Sequence, residues 1–471
     1  MLKQNASASI SSNSDWAREE FACAPLPDQR LVKRLISIST DFAQHPTAPI
    51  PQACGSWGQA KAAYRFLDND EVEPEAILAG HIQATLQRVQ EHPIVLCPQD
   101  TTTLNYSTHP QTKGLGPISN NRDKTIGLFL HSTLALTPTG HPLGILHTRT
   151  WARRSFGRSS HERNRTPRSS KESQKWMDSF AACQQAAIQC PQSLLVNLAD
   201  REGDLYDLFA AALVPTDLPR VELLVRAQHN RPVAHPQQYL WDYLGAQPVR
   251  ARLEVKVPPK DGQPGRLATL SIRFAPVTLQ APCLKKDQAP LKLWAIEARE
   301  RRPPKGVKPI CWRLLTTLPV ETVEAAVEKV RWYAQRWQIE IIHKVLKSGC
   351  KVEQRQLETA ERLQRVVVVD LIVAWRVLGL CKAGRETPEG VASDWLSNAE
   401  WRALWCYMNE TAQAPRRPPT LRQAVRWIAQ LGGFLGRRSD GEPGPLVLWR
   451  GLQQLRAITA AWKRFGHEKC G

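Results

Sequence analysis

The stretch Tyr333-Ala-Gln-Arg336-Trp337-Gln-Ile-Glu340-Ile-Ile-His343-Lys-Val-Leu-Lys347 sets Glu340 seven residues after Tyr333, seven before Lys347 and four after Arg336. At about 3.6 residues per helical turn, offsets of four and seven put an acid, two cations and a phenol in one stripe, suited to holding a metal and a phosphate. The same spacing also describes a solvated salt-bridge face. Two aspartates upstream favour the first reading. Each closes an apolar run of strand length, Pro93-Ile-Val-Leu-Cys97-Pro-Gln-Asp100 and Ser193-Leu-Leu-Val-Asn-Leu-Ala199-Asp200. Carboxylates at strand ends fall where a mixed sheet opens into a crevice.

The 471 residues exceed one ordinary core, so two or three domains are expected. Sixty-three Lys and Arg against 44 Asp and Glu leave a formal charge of +19, which asks for a polyanionic partner, with nucleic acid favoured. No run of 18 apolar residues exists and the start lacks an apolar signal segment, so the expectation is a cytoplasmic protein with no membrane span. Eleven cysteines without a Cys-x-x-Cys pair read as reduced packing residues rather than a structural zinc site. The 16 tryptophans suit both core and base stacking.

Helical patterns fill residues 1–90 (Asp15–Phe21, Asp28–Ala43, Trp57–Leu67, Glu75–Gln90), with Arg30, Lys33, Arg34, Lys61 and Arg65 available for DNA. Strands follow up to Asp100, over Thr125–Thr137 and over Leu143–Trp151. A helix over Ser170–Ile188 then precedes the strand ending at Asp200. This order begins a ribonuclease H-like sheet. The basic loop from Arg149 through Arg153, Arg154, Arg158, Arg163, Arg165, Arg168 and Lys171 to Lys175 reads as a phosphate clamp or as disorder. Residues of about 216–318 form a β-rich insertion, which ends near a second basic tract of Arg299, Arg301, Arg302, Lys305 and Lys308. One helix is expected from about Val320 to Lys347 and an apolar core helix over Glu358–Leu378. A helical tail follows, whose Leu448, Trp449, Leu452 and Leu455 pack on the body or, as favoured, on a second subunit. His131, His141 and His147 match no metal set.

The chain resembles a bacterial DDE transposase of the insertion-sequence-four group, close to the transposase of the composite transposon five. The resemblance rests on Ala63-Tyr-Arg-Phe66, Asp100-Thr-Thr, Lys171-Glu-Ser-x-Lys175-Trp176, Asp200-Arg-Glu-x-Asp204, Trp312, the Tyr-(2)-Arg-(3)-Glu-(6)-Lys signature, Leu431-Gly-Gly-Phe434 and Trp449. It implies an α/β fold: a ribonuclease H-like catalytic core over 91–384 interrupted by the insertion, a helical DNA-binding domain over 1–90 and a helical dimerisation domain over 385–471. It further implies Asp100, Asp200 and Glu340 as a catalytic triad holding two Mg²⁺ ions, replaceable by Mn²⁺. Tyr333, Arg336 and Lys347 are implied as phosphate contacts, with Arg226 a further candidate by position, and Trp312 as a stacking platform for a flipped base; Trp337, Arg30 and Arg65 are added as candidate DNA contacts. The implied activity is cut-and-paste transposition: a homodimer binds the inverted-repeat ends of an element, cuts them through a hairpin and joins the 3′-hydroxyl ends to target DNA near the nucleoid. A ribonuclease H-like nuclease without strand transfer and an inactive DNA-binding regulator are the alternatives. The loop Asn105–Asn121 has no match.

Overall fold

In the computed structural model, described over residues 16–119, 125–153, 172–234, 238–257, 265–282, 287–437 and 440–465, the first acidic strand does not stop at Asp100. Strand β1 spans Ile94–Asn105, paired antiparallel with β3 (Ile126–Leu136) throughout its second half, down to Asn105 opposite Gly127. On its other edge β1 runs parallel to β5 (Leu194–Ala199), and that pairing ends at Pro98 opposite Leu198. Asp100 and Asp200 therefore each lie two residues beyond the last parallel pair, on adjacent paths. The pairing ends there, not the strand, and the end of such a parallel pairing is where a mixed sheet ordinarily offers a crevice.

A hairpin carries β3 into β4 (Pro142–Trp151), and the short β2 (Gly116–Pro117) pairs with β3. Beyond β5 come β6 (Val221–Arg226), β10 (Cys311–Thr316), β9 (Leu291–Glu300), β8 (Arg266–Leu279) and β7 (Ala251–Val257). Among the described residues, all ten strands make one mixed sheet. The expectation of an insertion that interrupts the core is thereby corrected in one respect. Its first strand is a parallel neighbour of β5, and its last strand pairs antiparallel with that one, so the segment extends the core sheet. Continuous backbone pairing leaves no exposed edge between them.

Strand alternation divides the interior. Leu96 and Leu104 of β1 face a core built with the later helices, while Val95 and Cys97 face one built on α6 (Gln174–Gln189), where Trp176 and Phe180 are buried. The N-terminal region holds α1 (Trp16–Phe21), α2 (Gln29–Gln44), α3 (Ile50–Ala53), α4 (Trp57–Leu67) and α5 (Pro74–Gln90). Three short helices, α3, α7 (Tyr206–Ala212) and α8 (Leu240–Ala246), lay outside the sequence expectation, being too short for periodicity to register.

The single helix expected from Val320 to Lys347 is divided. It becomes α9 (Val323–Ala334), α10 (Trp337–Lys344) and a π-helical turn over Val345–Gly349. At the junction, amides of Gln335, Arg336, Gln338 and Ile339 reach back three residues instead of four, which tightens the chain. Helix α11 (Ala360–Glu386) is longer than expected and nearly enclosed. Its Val366–Val369 run has modest intrinsic helicity, so packing and the Thr359 cap hold it. Beside it, Arg355 forks onto Asp370 at 2.8 and 2.9 Å and donates to Ala48 O at 2.8 Å.

The tail supplies α12 (Asn398–Asn409), α13 (Leu421–Leu431) and α14 (Pro445–Phe465). The apolar row on α14 is not a free surface: Leu448, Trp449 and Leu455 are buried and Leu452 is half-buried. The ring of Trp449 lies over Gly349, where an added Cβ would come within 3.1 Å of it. The row packs on the body of the same chain, which corrects the favoured expectation of a second subunit. No described helix is long and apolar enough to cross a membrane.

Candidate active site

Asp100 lies within β1 opposite Ser132 of β3, and Asp200 caps the 3₁₀ turn Arg201–Gly203 by accepting from the Glu202 amide at 2.8 Å. Gly203 is required in that turn, because a Cβ there would meet the Ala199 Cβ at 2.5 Å and the Trp176 ring at 3.1 Å. Glu340 comes from α10. The Arg336 guanidinium joins the first and third acids, donating to Glu340 and, at 3.3 Å, to Asp100. Burial raises the Asp100 carboxyl to about 6; Arg336 opposes the rise, and Asp200 and Glu340 add to it. Asp100 thus senses both other acids as near like charges.

Burial works against the charge on Arg336, yet Tyr333, Asp100 and Glu340 together raise its pKa. Tyr333 is itself buried; burial lifts its hydroxyl, with Arg336 and Arg226 opposing and Asp200 adding. Its ring meets Trp312 edge to face at a centroid distance of 5.5 Å. Arg226, at the end of β6, donates to the Cys311 carbonyl at 3.0 Å. Asp100, Asp200, Glu340, Arg336, Tyr333, Arg226 and Trp312 consequently form one connected group. Tyr333 sits between its acidic end and its aromatic end.

Lys347 is different. It lies on the π-helical turn with its ammonium 4.0 Å from Glu353, and burial lowers its pKa while Glu353 opposes. Trp337 is partly exposed at the start of α10, and Arg30 and Arg65 are exposed on α2 and α4, Arg30 paired with Asp28. Of the basic loop, Arg149 binds Asp178 at 2.6 Å and Arg153 binds Glu172. Arg154, Arg158, Arg163, Arg165, Arg168 and Lys171 lie outside the described residues.

Two polar supports had not been foreseen. Thr101 bonds the His131 ring at 2.8 Å, His131 bonds Gln99 at 3.0 Å, and Gln99 donates to Asn197 at 2.5 Å, a chain running across β3, β1 and β5 beneath Asp100. Burial depresses His131 far enough to keep it neutral, so it can donate from one nitrogen and accept at the other. Ser132, opposite Asp100, bonds His343 at 2.7 Å, tying α10 to the strand pair that carries the first acid. Burial lowers His343 to about 3, with Lys347 and Arg336 adding. The available signals were a histidine one turn after Glu340 and another inside an apolar strand.

Among the described residues, no group of three His, Cys, Asp or Glu side chains stands close enough to hold a metal ion. The donor chemistry suits a hard divalent ion, since carboxylate oxygens are its preferred ligands and Asp100 feels repulsion from two other acids, which Arg336 opposes. A guanidinium supplies the positive charge here instead.

Three family models match the chain: Transposase DNA-binding over residues 13–72, Transposase DDE domain over 146–375 and Transposase Tn5 dimerisation domain over 372–467. The chain carries the domains of a DDE transposase resembling that of Tn5. The transposase DDE match contains Asp200 and Glu340 and begins after Asp100. Its junction with the transposase dimerisation match falls inside α11, whose backbone is continuous. Among solved structures, a piggyBac transposase synaptic complex with hairpin DNA aligns with a TM-score of 0.37 and 10% identity, covering 99% of this chain and 80% of that one.

Proposed function

We propose that this chain is a cut-and-paste transposase of the insertion-sequence-four group that cuts inverted-repeat ends through a hairpin intermediate and joins them to target DNA. The observation that carries the reading is the connected group from Asp100, Asp200 and Glu340 through Arg336 and Tyr333 to Trp312. Asp100, Asp200 and Glu340 would hold divalent ions, Mg²⁺ or Mn²⁺, which when bound activate the attacking oxygen and stabilise the departing one. For that, Arg336 must release at least one of its carboxylates. Its planar fork matches a phosphate as well as it matches an acid, so an incoming DNA backbone is the natural recipient.

Each step is an in-line substitution at a phosphodiester. Water opens the first strand, the freed 3′-hydroxyl attacks the opposite strand, a second water opens the hairpin, and the hydroxyl then attacks target DNA. One bond forms and one breaks at phosphorus each time. Trp312, half-buried on β10, receives the base expelled when the strand bends, and Arg226 and Trp337 flank the DNA path. Lys347 contacts phosphate after leaving Glu353. Arg30 and Arg65 bind the terminal repeat from the N-terminal region.

The working division is 1–90 for DNA binding, 91–384 for catalysis and 385–471 for dimerisation, with a homodimer joining two ends in the cytoplasm at the nucleoid. Incubating the full chain with Mg²⁺, a duplex of its own element's terminal repeat and a target plasmid tests this. Hairpin ends and joined products are expected. Nicks without hairpins or joining would mean a nuclease, and an intact shifted duplex would mean a regulator.

A further inference from the structure

Away from the acids, a cavity of about 40 Å³ lies where three parts of the chain meet. Its wall includes Trp16 of α1, Arg376 of α11, Trp395, Glu400 of α12, and Leu452 and Arg456 of α14. Two guanidiniums thus face one carboxylate. That carboxylate is already engaged, because Glu400 accepts from the Ser397 amide at 2.9 Å and from its hydroxyl at 2.8 Å in a capping box. Arg376 is also committed: it donates to the Trp395 carbonyl at 3.0 Å and lies over the Trp16 ring at 4.9 Å.

Arg456 is the exception. Its Nη1 is sealed from solvent and has no hydrogen-bond partner. Two further acids reach Arg376 from α1, Glu20, which Arg88 and His81 take, and Glu19; the acid that acts on Arg456 is Glu400, and His45 faces Arg456 without adding negative charge. Burial pushes Arg456 down to about 9, with Glu400 opposing and Arg376 adding. Arg456 is half-buried overall, but a sealed N–H of a charged group with no acceptor is costly, and an anion offsets that cost. A water needs about 10–15 Å³ of such space, so the cavity has room for one small ion and excludes a nucleotide.

We propose that this cavity binds a single small inorganic anion, of halide or phosphate size, bonded by Arg456 Nη1, with Arg376 adding positive charge beside it. A bound anion ties α1, α11 and α14 together at the place where the N-terminal and C-terminal regions meet. The proposal does not depend on the transposase chemistry.

Two measurements on the full chain test it. Crystals soaked in bromide or, separately, in phosphate should show a bound anion within hydrogen-bonding reach of Arg456 Nη1, the bromide by its anomalous peak, and water there in both soaks overturns the proposal. In solution, thermal unfolding is followed at constant ionic strength while gluconate, too large for the cavity, is replaced by bromide. A saturable rise in Tm is expected, because a ligand that binds only the folded state stabilises it by mass action. Arg456→Met should bind bromide at least tenfold more weakly, while Arg450→Gln, exposed on the same helix, should respond as the wild type does. A parallel phosphate series separates the two ions: the one that saturates at lower concentration is the fitting guest. An equal response in wild type and Arg456→Met overturns the proposal, as does a crystal peak with no saturable rise in solution. Should Arg456→Met not fold, Arg456→Lys, which keeps the charge but loses the fork, must show the weakened binding.

Discussion

Two arginine–carboxylate groups in this molecule use the same chemistry to opposite ends. Arg355 and Asp370 are both enclosed; the fork is bidentate, and carbonyls of the 46–48 segment accept further guanidinium protons. Arg336 bridges two acids from different elements, holds Asp100 at a long 3.3 Å, and leaves the Asp100 and Glu340 side chains 20% and 33% exposed. The first pair is closed to any ligand. The second is a set of acceptors shared with a cation that can leave. Satisfaction of every donor and acceptor marks a structural pair, while incomplete satisfaction next to a crevice marks a site.

The largest expected contrast is catalytic. Asp100→Ala, Asp200→Ala or Glu340→Ala should each lower end cleavage by about 10³-fold or more while DNA binding in a shift assay changes little, since cations carry the binding. Retained cleavage in any one of the three would dissolve the distinction drawn here. Next, Arg355→Ala leaves an uncompensated buried carboxylate and should cost about 3–5 kcal/mol in denaturant unfolding. Arg336→Ala should cost no more than about 1 kcal/mol, its partners being partly hydrated. Similar losses for the two would mean that the open group is structural after all.

A smaller effect is set by pH. Because the folded-state pKa of Asp100 is raised to about 6, its protonated form favours folding. That contribution is complete below the unfolded value and disappears as pH rises through 6. In EDTA, Asp100→Asn should match the wild type near pH 4 and exceed its stability by on the order of 2 kcal/mol at pH 7. Adding Mg²⁺ should shrink the gap, and a gap that does not vary with pH would show that burial and the neighbouring acids do not raise the Asp100 carboxyl. The smallest change is expected for Trp312→Ala, which should leave first-strand nicking intact and slow hairpin formation about tenfold, in line with the roughly 1–3 kcal/mol of base stacking. Equal loss of both steps would make Trp312 a packing residue.

Much of this was legible in the chain, for local reasons. The apolar runs over Thr125–Thr137 and Leu143–Trp151 joined by the Pro138-Thr-Gly140 turn, and helical periodicity in α2, α4, α5 and α13, are short-range patterns that the fold keeps. What escaped depends on partners distant in sequence. Nothing local tells that β1 continues past Asp100, because β3 holds the extension. Nor does anything local show that Val221–Arg226 belongs beside β5, or that the α14 apolar row meets Gly349. Within the site, the Arg336 spacing to Glu340 was readable, whereas its reach to Asp100 crosses 236 positions. The placement of Lys347 next to Glu353 followed from a π-helical turn that spacing alone does not reveal.

The single sheet has a mechanical consequence. Asp200 follows β5, and Trp312 stands on β10, two places along, with β6 between them. Neighbouring strands sit about 4.8 Å apart, so two intervals set a lateral offset of roughly 10 Å by hydrogen bonding alone. The outer strands and the basic hairpin tip between β9 and β10 can then lengthen, shorten or change composition without altering the gauge between the acids and the tryptophan.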